Sequence, residues 1–112
     1  MPRDYKVYAD DILEAIGKIK RFTKGLDRDT FSQDEKTFDA VIRNLEVIGE
    51  AVKKIPDAVR TQHPSVEWKK IAGVRDILVH EYFGIDVDIV WDIIQHKLSP
   101  LESQIKQIIA AL

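Results

Sequence analysis

Apolar residues recur at three- and four-residue steps over most of this chain, and the breaks in that rhythm divide it into amphipathic helices. From about Asp4 to Lys24 the stripe is Tyr5, Tyr8, Ile12, Ile16, Ile19 and Phe22, opposed by Asp10, Asp11, Glu14, Lys18 and Lys20, and Gly25 ends it. Leu26 to Ser32 reads as a short polar connection with Phe31 as a hydrophobic plug. A second helix starts near Ser32 or Asp34, where Ser32-Gln33-Asp34-Glu35 supplies a cap followed three residues later by a glutamate. Its stripe is Phe38, Val41, Leu45, Ile48, Val52 and Ile55, closed by Pro56. Asn44 lies on the edge of that stripe, about 60° from Val41, as an uncharged amide placed to orient something buried.

The period then lapses. Pro56 to Arg60 predicts one short helical turn, and His63-Pro64-Ser65 a turn in which His63 is a turn residue rather than a ligand. Ser65 would cap a third helix, from about Val66 to Phe83, that Gly84 ends. A fourth begins near Asp86 and carries Val87, Val90, Trp91, Ile94, Leu98, Leu101, Ile105, Ile108 and Leu112 on one face. That phase survives Pro100, so either the proline kinks one long helix or Ser99 caps a second segment. Amphipathic helices with short connections and no strand signal predict an all-α fold, an antiparallel four- to five-helix bundle, with residues 1–112 as one domain.

Within the third helix, Gly73-Val74-Arg75-Asp76-Ile77-Leu78-Val79-His80-Glu81-Tyr82-Phe83-Gly84 breaks the separation of polar from apolar positions. Ile71, Val74, Leu78 and Tyr82 fall within about 100° on one side, and Arg75 lies on that apolar stripe. A cation there needs a partner to offset its desolvation. His80 is about 140° round from Arg75 and one turn after Asp76, so a straight helix lets Asp76 reach His80 and keeps Arg75 apart from it. The two can meet if the last turn distorts, or if two chains pack these helices together. Taken singly, His80 could be a helix C-terminal cap, Arg75 half of a structural ion pair and Tyr82 a core-edge aromatic. Together, an arginine and a histidine are the minimal set for metal-free phosphoryl chemistry. The guanidinium can hold two phosphate oxygens while imidazole moves a proton near neutral pH.

Composition narrows the class further. The chain is 45% hydrophobic and 32% charged with few glycines and prolines, which excludes disordered and fibrous classes. It has no cysteine, hence no disulfide, thiolate metal site or cysteine nucleophile. No pair among His63, His80 and His96 has the i, i+4 spacing of a helical zinc site, so no metal or other cofactor is expected. The N-terminus carries charges throughout, which predicts neither signal peptide nor membrane span and a cytoplasmic location. With a formal net charge of −2, any RNA contact depends on local basic groups such as Lys53, Lys54, Arg60, Lys69 and Lys70, which could equally be a solvated surface.

The order Arg75, four residues, His80, one residue, Tyr82 resembles the R-x4-H-x-Y signature of HepT-like proteins of the HEPN superfamily. Residues 8–16 are similar to that family's first helix, residues 40–51 to its second, and Ile77-Leu78-Val79-His80-Glu81-Tyr82-Phe83-Gly84 to its most recognisable run. The resemblance implies a HEPN-like bundle acting as the toxin of a toxin-antitoxin pair, a metal-independent ribonuclease. It further implies a homodimer in which two copies of Arg75 and His80 form one composite active site. A minimal nucleotidyltransferase antitoxin would silence the toxin by transferring AMP from ATP to Tyr82. Asp76, where many members have asparagine, is a departure that could pair with Arg75 or His80, so it and Asn44 are supporting candidates. Cleavage would proceed through the ribose 2′-hydroxyl and leave 2′,3′-cyclic phosphate ends. The alternative is a non-catalytic module that binds a nucleotide or the nucleotidyltransferase, with Tyr82 only an acceptor.

Overall fold

A computed structural model describes residues 4–80 and 85–112, with the side chains of residues 75–80 outside the described set. Every regular element among the described residues is helical: α1 (Tyr5–Thr23), α2 (Arg28–Gln33), α3 (Glu35–Lys54), α4 (Asp57–Gln62), α5 (Trp68–His80), α6 (Val87–Asp92), a π-helical segment (Ile93–Lys97) and α7 (Leu98–Ala110). The all-α bundle read from periodicity is the observed fold.

Local chemistry sets where the helices begin and end. The Asp4 carboxylate accepts from the Lys6 backbone N–H to start α1. Gly25, with φ of 81°, turns the chain out of α1 in the left-handed region that favours glycine. The connection after it is not the irregular link the sequence suggested. Asp27 caps a short helix by accepting from Thr30 N–H at 2.8 Å, and that helix drives Phe31, fully buried, into the core. Phe31 packs on Phe38 and Trp91 with ring centroids 5.5 and 5.3 Å apart, so the plug role holds. Ser32 lies inside α2. Asp34 caps α3, through the Thr37 N–H and hydroxyl rather than through Glu35 in a capping box.

Helices α1 and α3 form the centre. The Lys54 ammonium, at the end of α3, sits 5.7 Å from the ring centroid of Tyr8 near the start of α1, so the two helices run antiparallel. Their stripes bury Ile12, Ile16, Ile19, Val41, Leu45, Ile48 and Val52, with Phe38 partly covered. Helix α7 lies against α1 and adds Leu98, Leu101, Ile105 and Ile108, while Leu112 is exposed. At their junction Lys20 of α1 donates to Ser99 Oγ and Glu102 Oε1 at 3.0 and 3.1 Å. Helix α5 packs on α3.

Two sequence expectations are corrected here. Ser65 is not the cap of the third helix, which starts at Trp68. The Trp68 indole Nε1–H reaches the carbonyls of His63 (3.0 Å) and Arg60 (3.2 Å), and Gln104 Nε2 donates to the Ser65 carbonyl at 3.1 Å, holding residues 63–67 in an irregular turn. His63 is a turn residue, as read. Nor does Ser99 cap a new segment at Pro100. The chain stays helical through the proline because the turn before it widens: Leu98 N–H donates to the Ile93 carbonyl, five residues back. A proline clashes with the carbonyl four residues before it, here that of His96, and a wider turn relieves the clash. It also preserves the stripe. From Val90 to Leu98, eight residues at about 100° each would leave a drift of about 80°, yet both side chains are 2% exposed.

Candidate active site

Helix α5 carries the Arg75 and His80 positions on one uninterrupted backbone, about 7.5 Å apart along the axis and about 140° apart around it. The side chains of Arg75, Asp76 and His80 lie outside the described residues, and Tyr82 does so entirely. Asn44 is described: its amide nitrogen donates to the Ala40 carbonyl at 2.8 Å, one turn back in its own helix. That nitrogen is therefore held by α3.

The neighbourhood of the motif is visible through its first turns. Ile71 and Val74 are half-buried and open into a groove of about 360 Å³. Leu45 and Ile48 of α3, Ile89 and Ile93 of the α6 end, and Leu98, Pro100 and Leu101 of α7 complete its walls. Ile89 is 61% exposed. Sequence reading missed this groove, although Ile89 and Ile93 stand off the main stripe of their helix at i, i+4 spacing, which is the mark of a second apolar face.

The groove edge is charged. Glu67 accepts from Lys70 at 2.8 Å and lies 4.0 Å from Lys97. The Lys70 hydrogen bond, reinforced by the charges of both lysines, holds the Glu67 carboxyl below the ordinary glutamate range, and Glu67 in turn raises Lys70. His96 Nδ1 lies 2.9 Å from Asp92 Oδ1 on an exposed face. Of the basic residues noted in the sequence, Lys54 lies 3.9 Å from Glu50, and Arg60 is bonded to Asp57. Lys69 is exposed, and among the described residues it has no such partner. A second, polar groove of about 330 Å³ between α1 and α3 is lined by Tyr8, Asp11, Arg43, Glu46, Glu50 and Lys54, with Arg43 3.9 Å from Glu46.

Residues 12–108, nearly the whole helical array with the motif inside it, match the model of the family described as ribonuclease HepT-like. The chain belongs to the HepT-like ribonuclease family. Relatives cover it almost end to end. A protein of Methanocaldococcus jannaschii named as a candidate RNase is 46% identical over 110 residues, 97% of this chain and 91% of that one. The Probable ribonuclease HepT of Thermococcus cleftensis is 41% identical over 96% of this chain and 98% of its own. The mRNA nuclease HepT of Shewanella oneidensis is 31% identical over 83% and 92%. No solved structure matches. HepT-like membership agrees with the resemblance carried by residues 75–82. No helix among the described residues is long and apolar enough to cross a membrane.

Proposed function

We propose that this HepT-like chain is an endoribonuclease that needs no metal, with Arg75 and His80 as its catalytic residues. The reading is supported by two facts together: positions 75 and 80, where the resemblance puts the pair, fall on one regular helix, and the chain's relatives are named ribonucleases. A ribose 2′-hydroxyl attacks the adjacent phosphorus, and the bond from phosphorus to the 5′-oxygen breaks. His80 takes the proton from the 2′-hydroxyl or gives one to the leaving oxygen. Arg75 stabilises the charge that builds on the phosphorane oxygens, an effect of about 3 kcal/mol for one well-placed donor. The products are a 2′,3′-cyclic phosphate and a 5′-hydroxyl.

The angle of about 140° between Arg75 and His80 supports a homodimer, in which the arginine of one copy and the histidine of the other face one phosphate. The unsealed groove beside Ile71 and Val74 supplies apolar surface next to the motif helix for that pairing. In the same reading the protein is the cytoplasmic toxin of a toxin-antitoxin pair. Its nucleotidyltransferase partner catalyses attack of the Tyr82 hydroxyl on the α-phosphorus of ATP, releasing pyrophosphate. AMP two residues from His80 would repel and block the substrate phosphate. Asp76 is the residue that would temper the charge of Arg75 or His80.

The test is RNA cleavage by the purified protein in EDTA, wild type beside Arg75→Ala and His80→Ala, with analysis of the ends. Cyclic phosphates made by the wild type alone are expected, and an all-deoxy substrate should survive. Intact RNA in every lane, from folded protein free of AMP by mass, would leave the non-catalytic binding module in its place. For Tyr82, the Phe variant should cleave RNA and gain no AMP mass when mixed with the partner and ATP; continued modification would move the acceptor to another residue.

A further inference from the structure

The groove between α3, α5 and α7 has two unlike ends. Gln104 donates to the Ser65 carbonyl at 3.1 Å while Lys97 lies 4.0 Å from Glu67, so α7 and the helix before it run antiparallel to α5 along the groove. Glu67, Lys70, His96 and Lys97 stand together at one end. From there α5 leads to Ile71 and Val74, and the facing helix leads back to Ile93 and Ile89, the last about 12 Å from Lys97 along its axis. That end is aliphatic and open, with Ile89 61% exposed. Further along α5, position 78 falls between the lines of Ile71 and Val74, whereas positions 76 and 80 lie about 140° and 180° from Ile71, on the side away from the groove.

The charges at the polar end do not balance. Lys70 and Lys97 share the single carboxylate of Glu67: Lys70 donates to it at 2.8 Å, and Lys97 stands beyond hydrogen-bond length. Lys97 has no other partner among the described residues. His96 and Asp92 answer one another at 2.9 Å, so one ammonium is left in excess. The lining holds no Phe, Tyr or Trp, and hence no ring on which a nucleobase would stack. A groove of about 360 Å³, mostly apolar with a few polar groups at one place, has the build of a small-molecule site. Aliphatic walls call for an alkyl chain, and an excess cation at one end calls for an anionic head.

We propose that this groove binds a free fatty acid. Its alkyl chain lies along Ile71, Val74 and Ile93 toward Ile89, and its carboxylate accepts from the Lys97 ammonium. The site goes beyond the ribonuclease reading and does not depend on it. The two meet at one point: a bound chain covers the apolar surface offered there to a second copy, so the two occupants exclude each other.

The test titrates the full chain calorimetrically with hexanoate, octanoate and decanoate below their micelle concentrations, and with 1-octanol and octylammonium. Affinity should rise about fourfold for each methylene that the groove covers. Octanoate should bind about tenfold more tightly than octanol, and octylammonium should bind worst. Lys97→Ala should bring octanoate most of the way to the affinity of octanol and leave octanol unchanged. Ile89→Glu, at a position already in water, should spare the fold and weaken decanoate far more than hexanoate. Sedimentation velocity and RNA cleavage are read on the same samples. Equal affinity for octanoate, octanol and octylammonium would overturn the proposal, as would affinity that does not grow with chain length. Absence of carboxylate binding, with a dimer that Ile89→Glu takes apart, would overturn it by assigning the groove to a second copy. RNA left uncut by protein that binds octanoate as expected would count against the ribonuclease reading alone.

Discussion

Where α1 lies against α3, the apolar stripes are sealed: Ile12, Ile16, Ile19, Val41 and Val52 have no exposed surface, and Leu45 and Ile48 have 4% or less. Where α5 and the α6 end border the apolar groove, Ile71 and Val74 are only half-buried and Ile89 is 61% exposed. Both regions are built from the same kind of amphipathic helix. The first uses its apolar face up within the chain, while the second leaves part of it facing outward, beside the helix that carries Arg75 and His80. Stability and proposed chemistry are thus carried by different faces of one helical array.

The largest effect should come from cutting into the sealed side. Ile16→Ala removes a fully buried side chain between helices that cannot close over the gap, and is expected to cost about 2–5 kcal/mol in chemical denaturation. The same substitution at Ile89 should change stability by no more than about 0.5 kcal/mol, since the side chain is already in water. Equal losses at the two sites would erase the contrast.

A smaller effect concerns the caps that fix the sealed side. The Thr37 backbone N–H and hydroxyl hold the Asp34 carboxyl below its ordinary value of 3.8. A folded-state pKa below the unfolded one gives stability that is present above the unfolded value and lost as pH falls through the folded one. Melting curves of wild type and Asp34→Ala should therefore be separated at neutral pH and converge once pH falls below the usual carboxylate range, with wild type the more stable of the two. A gap that persists unchanged into acid would mean that the cap does not depend on the charge of Asp34.

The sealed side was the legible one. A stripe such as Val41, Leu45, Ile48 and Val52 repeats long enough for period alone to give the helix, its buried face and its ends, and Phe31 stood out as the lone apolar residue between Leu26 and Phe38. The polar stretch itself was misread, because six residues are too few to show a period and its cap, Asp27, looks like any loop aspartate. Trp68 was silent as well. Its indole bonds to carbonyls five and eight residues back, and no spacing rule announces such a clamp. The groove depends on how α3, α5 and α7 meet, which is a property of the assembled array. The motif was legible for the opposite reason: its chemistry is local, with an arginine and a histidine at fixed spacing among apolar neighbours.

The widened turn at residues 93–97 also bears on how this chain can change length. Seven residues at about 100° return to within about 20° of the starting direction, where eight do not. Deleting one residue from this segment would let a plain α-helix carry Val90 and Leu98 on the same buried line, provided that Pro100 were replaced as well. Insertions and deletions are usually absorbed in loops; here one could be absorbed inside a helix, at the point where it borders the apolar groove.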